Sequence, residues 1–150
     1  MDTKNRFHTR ETWFLIRAEN MTLLVVLSVL VVLHFPHVNW FRFIFAFAII
    51  DLVGYIPGAI AYRRSHKQKI APIYHHLYNI THSYLTGGVA VGLWALATGG
   101  FEWAMLAIPI HYSGDRGIFG NTYKPVSLPF EPMEPVSAVT HLPELQEESK

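Results

Sequence analysis

Long apolar blocks joined by short polar links set the pattern of this chain. The first block, "MTLLVVLSVLVVL" (Met21–Leu33), follows Lys4, Arg6, Arg10 and Arg17 and precedes the bulky stretch "HFPHVNW". A cleaved leader also has a basic start and an apolar core, but it ends in a small-residue cleavage site. The block therefore reads as an uncleaved spanning helix. A second block, from Trp40 to Tyr62, is long enough for a tilted crossing of the hydrocarbon layer. After the link "RRSHKQK" (Arg63–Lys69), a third runs from Ile70 to Thr98, polar at first ("IAPIYHHLYNITHSY") and apolar later ("GGVAVGLWALAT"). Gly99 and Gly100 predict a tight reversal, because glycine accepts the positive φ it needs. The fourth block, Phe101–Ile118, has a short apolar part in which Pro109 predicts a kink.

The pattern predicts an all-α integral membrane four-helix bundle, with spans at residues 17–36, 40–62, 70–98 and 101–118. Residues 1–16 precede the bundle, which extends over 17–124. From Pro125 onward the chain holds five prolines and five glutamates. A segment so poor in apolar residues cannot offset its ordering entropy, so 125–150 reads as an extended tail, with a docking peptide or lid as the alternative.

Charge adds an orientation. The N-terminal segment and the link after the second block carry four Lys/Arg each, whereas the other two links hold only Arg42. Basic links stay cytoplasmic, so both termini are expected inside a multi-pass protein of the inner (plasma) membrane. With 150 residues there is one domain, and a net charge of +1 without a basic aromatic patch argues against a nucleic-acid partner. The absence of cysteine excludes disulfides, thiolate ligands and a cysteine nucleophile.

Ionisable groups within such blocks are costly, about 2.5–3.5 kcal/mol each, so their positions matter. Asp51, Gly54, Tyr55, Gly58 and Tyr62 share one helical stripe, as do His75, Tyr78, Asn79, His82 and Thr86; His111 and Asp115 are four apart. At about 1.5 Å per residue, Asp51, His82 and His111 all fall about 14–16 Å from the cytoplasmic ends, with Asp115 at about 8 Å and Glu19 at about 3 Å. Lipid-facing stripes would be unsatisfied, so these residues are expected to meet in a common internal site. Gly54-xxx-Gly58 and Gly88-xxx-Gly92 fit close backbone approach. His8, His34, His37, His66 and His141 fall in loops or ends and read as structural, and His75 and His76 lie near the interface.

A carboxylate beside an imidazole makes a general acid/base pair, as His111–Asp115 would. Glu19, Asp51, His82, His111 and Asp115 also supply N and O ligands suited to a divalent metal, although neither HExxH nor paired Glu-xx-His motifs occur. A b-type haem on His82 and His111 is a further reading. No phosphate-binding loop or nucleophile elbow is present.

The stretches "DLVGY", "YNITHSY" and "HYSGDRGIFGNTYK" resemble a family of small bacterial four-helix membrane proteins of unknown function, over residues 17–124. The resemblance implies matching positions at Asp51, Gly54, Tyr55, Tyr78, Asn79, His82, His111, Asp115, Arg116 and Lys124, and implies no activity.

The expectation is a membrane enzyme acting on a lipophilic small molecule by isomerisation, cyclisation, dehydration or hydrolysis. His111 would transfer the proton, Asp115 orient it, and His82 with Asp51 oppose it. Tyr55, Tyr78, Asn79, Arg116 and Lys124 would contact substrate, the last two holding an anionic group. The alternatives are a haem-, metal- or proton-binding transport module, expected to form a homo-oligomer, or an accessory subunit of a membrane complex.

Overall fold

The computed structural model describes residues 9–65 and 69–131, which contain helices and no strand. His8, His66 and His141 lie outside the described residues, as does the tail from residue 132. Helix α1 spans Arg10–Leu33, opened by Thr9, whose Oγ1 accepts from the Thr12 amide at 3.3 Å. Helix α2, Trp40–Gly54, is opened in the same way by Asn39, which accepts from the Arg42 amide at 3.1 Å. Such side-chain acceptors satisfy amides that have no partner in a first helical turn.

The second apolar block divides at Tyr55, and α3 continues as Ile56–Arg64. Pro57 causes the division: it has no N–H to give to the preceding turn, and it suits the start of a new helix. Together, residues 40–64 are long and apolar enough to cross a membrane, and so is α1.

The third block, expected as one span, is two helices: α4, Pro72–Thr81, and α5, Tyr84–Thr98. His82 ends α4 and Ser83 caps α5, its hydroxyl accepting from the Leu85 amide at 3.2 Å. Gly99 ends α5 with φ +78°, in the left-handed region expected for the reversal.

The fourth block changes winding twice. A 3₁₀ turn, Trp103–Leu106, leads into α6, Ala107–Gly114, which passes into a π-turn, Asp115–Phe119. Pro109 is the third residue of α6, in the first turn where no amide is needed, so it does not kink a longer helix. Gly120 closes the π-turn at φ +72°, and a Cβ there would also lie 2.9 Å from the Trp13 ring.

Helix α1 packs along α6 and the π-turn, and α2 packs on α4 and α6. Arg17 fixes the first contact, donating Nε to the Gly117 carbonyl at 3.0 Å and Nη2 to that of Ile118 at 2.8 Å. One buried cluster joins Ala46 and Ile50 to Ala107, Ile108 and Tyr112; another joins Ala59, Tyr62, Tyr78 and Phe130. Phe130 corrects the sequence reading, because residues 125–131 fold back on α3 and α4. One fully buried ring anchors this segment, with bonds from His75 and Tyr55 beside it, while Val126, Ser127, Leu128 and Pro129 stay exposed. The glycine pair at 88 and 92 also departs from expectation. A Cβ at either position would meet nothing within 4 Å, while Gly87 is the residue that faces inward, against Tyr112.

Candidate metal and acid–base centre

His82 is held in place by the break between α4 and α5. The carbonyls that end a helix have no amide partners of their own. Here Tyr112 donates its hydroxyl to the Thr81 carbonyl at 2.7 Å, and Arg116 donates to that of His82 at 3.2 Å. The His82 ring stacks on Tyr78 at 4.0 Å, and its Nδ1 lies 3.0 Å from the Tyr78 carbonyl. A carbonyl only accepts, so Nδ1 carries a proton and Nε2 points away from the helix. Close approach completes the placement. A Cβ on Gly54 would lie 1.9 Å from Thr81 Oγ1 and 3.1 Å from the His82 ring, so α2 comes near only because Gly54 has none.

The structure brings Asp51, His82, His111 and Asp115 together. His82 Nε2 is 3.2 Å from Asp51 Oδ1 and 3.4 Å from Asp115 Oδ2, and His111 Nε2 is 3.6 Å and 3.8 Å from the same two oxygens. Both imidazoles are buried, whereas the Asp51 side chain is 42% exposed and is the open side of the cluster. Phe47 meets the His111 ring edge-on at 4.6 Å. Neither His111 nitrogen has a hydrogen-bond partner among the described residues.

Two carboxylate oxygens and two ring nitrogens thus converge with few protons to share. Such a set is stabilised either by protonating an imidazole or by a cation held in common. The spacing fits the second. An ion with bonds of about 2.0–2.1 Å separates neighbouring ligand atoms by about 3.3–3.4 Å, close to the 3.2 and 3.6 Å from Asp51 Oδ1 to the two Nε2 atoms. One ligand atom each from Asp51, His82 and His111 lies within 4.8 Å of the others. The Nδ1–H to carbonyl bond of His82 is the outer-shell support that metal-binding histidines commonly have. A haem fits poorly, because the carboxylates occupy the space between the imidazoles that the macrocycle would need.

No family model, curated protein or solved structure matches this chain.

Other expected site residues take different places. Glu19 is exposed and outside the cluster; α1 reaches the interior through Asn20, whose Oδ1 accepts from Tyr84 at 3.0 Å. The guanidinium of Arg116 does not reach outward for an anion, being drawn over the Tyr84 ring at 4.3 Å and to the His82 carbonyl. Asn79 binds the Lys124 backbone in both directions, at 2.7 and 3.0 Å. Lys124 Nζ donates to the Phe130 carbonyl at 2.6 Å and faces the Tyr55, Tyr78 and Phe130 rings. Burial pushes its ammonium below the usual lysine range, opposed by the charges of Glu131 and Asp115. Tyr55 donates to Glu131 at 2.6 Å. Tyr112 and Phe130 were missed by sequence reasoning. For Tyr112 a signal existed, since it follows His111 directly; an isolated Phe among prolines offered none.

Proposed function

We propose that this chain is a four-span membrane protein with both termini cytoplasmic, whose Asp51, His82 and His111 form a divalent transition-metal centre of the zinc class with Asp115 beside it. The centre serves an enzyme acting on a lipophilic small molecule. The single observation that carries the metal reading is that one ligand atom each from Asp51, His82 and His111 lies within 4.8 Å of the others, two of them on buried imidazoles. The membrane reading is supported by two long apolar helices and by the many large apolar side chains they leave outside, among them Val25, Val29, Val32, Phe41, Phe45 and Leu52. The motif resemblance to small four-helix membrane proteins agrees with it.

A bound ion of this class supplies Lewis-acid polarisation of a substrate oxygen. The chain's own residues orient and move protons. Tyr78 fixes the tautomer of His82, Asp51 is the half-exposed member through which an outside molecule meets the centre, and Asp115 accepts or returns a proton beside both imidazoles. Hydrolysis, dehydration, cyclisation and isomerisation all fit these roles.

Metal analysis of detergent-purified protein tests the proposal. About one ion per chain is expected, with most of it lost in His111→Ala and Asp51→Asn while helicity is retained. Zinc-supplied wild type that retains no ion overturns the metal centre. That result would favour proton transfer alone, which the 3.2 Å contact between His82 and Asp51 also supports.

A further inference from the structure

One helical turn from His82, α3 and α4 enclose a socket filled by Phe130. The ring is fully buried, stacked against Tyr55 at 6.1 Å and edge-on to Tyr78 and His75 at 6.0 and 5.3 Å. It rests on bare helix backbone, since a Cβ at Gly58 would lie 2.4 Å from Phe130 Cζ. Glycine is a poor helix former, and the ring above it accounts for its place in α3.

The plug fills the volume but not the chemistry. The Tyr62 hydroxyl and His75 Nδ1 are buried beside it and have no hydrogen-bond partner among the described residues. His75 Nε2 faces the Leu128 carbonyl at 3.2 Å and so carries the ring proton, leaving Nδ1 as a bare acceptor. Buried polar atoms are nearly always satisfied, and a phenyl ring satisfies neither of these.

The segment carrying the plug is lightly attached. Phe130 is the one buried side chain of residues 121–131, while Tyr123, Val126 and Leu128 are exposed. The other attachments are polar bonds from Asn79, His75 and Tyr55 and the Lys124 ammonium over the Tyr55 and Tyr78 rings. Lifting this strap would unfold no helix.

We propose that the socket is a binding site for a phenol-type ring, an aromatic ring bearing a hydroxyl, and that Phe130 is a built-in plug which such a ring displaces. The ligand hydroxyl supplies the donor that His75 Nδ1 lacks or the partner that Tyr62 lacks. This inference rests on the function proposed above and names its substrate class, because Tyr78 walls the socket and stacks on His82.

The test uses the full chain in detergent, with 4-fluorophenylalanine at position 130 observed by fluorine NMR. Titration with p-cresol is expected to move the resonance from a buried to a solvent-exposed position, with a midpoint about fivefold lower than for toluene. In Tyr62→Phe the preference for p-cresol should shrink. A resonance that stays in place at saturating p-cresol, or toluene acting equally well, overturns the proposal. Metal content of the same samples is read independently, so loss of the socket and loss of the metal centre are separate results.

Discussion

At the scale of single residues, glycine separates the packed faces from the open ones. Gly54→Ala would force a methyl into Thr81 and the His82 ring, so a loss of about 1–3 kcal/mol and weaker metal retention are expected. Gly88→Ala meets nothing and should stabilise by up to about 1 kcal/mol through helix propensity. Thermal unfolding of both variants in one detergent checks the contrast, and equal behaviour would contradict the close approach of α2 to α4. The four centre residues were legible because ionisable groups in apolar blocks are conspicuous and helical phase places them on shared stripes. Partners that act through hydrogen bonds alone were not: Arg116 looked like an anion-binding group, yet its bond goes to a backbone carbonyl.

Elements follow from local rules of capping and breaking. Pro57 and Ser83 end one winding and begin another, and the second break lies beside His82 of the centre. Ser83→Ala should cost about 1 kcal/mol by leaving the first turn of α5 without its cap. Tyr112→Phe leaves the Thr81 carbonyl without its donor, for an expected loss of about 1–3 kcal/mol. Chemical denaturation followed by circular dichroism measures both. The apolar blocks were readable from the chain, but the division at His82 was not. No proline or glycine marks it, and a lone serine, although favoured at caps, is not enough to mark one inside an apolar block.

For the whole molecule, the proposed bilayer arrangement makes a prediction that the absence of cysteine simplifies. Lys69→Cys should react with an impermeant maleimide only from the cytoplasmic side of oriented vesicles, and Gly100→Cys only from the other. The reverse pattern, or equal labelling from both sides, contradicts the orientation drawn from basic links. Across the same molecule, Arg42 in the first turn of α2 and Glu102 just before the 3₁₀ turn form an ion pair. The chain's charges foretold one member of this pair as the lone basic residue of the two links expected outside. Which carboxylate answers it depends on how the helices pack, and linear spacing does not carry that information.

A π-turn contains one residue more than the α-helical turn it replaces. Excising any one residue between 116 and 119 would therefore leave only enough chain for a regular α-turn past Asp115 and change the backbone that meets α1. Gly117 would leave Met21, Gly120 would leave Trp13, and Arg17 would lose its two carbonyls. The contact between the π-turn and the N-terminal helix is thus counted to a single amino acid, so a one-codon deletion here should do more harm than most substitutions nearby.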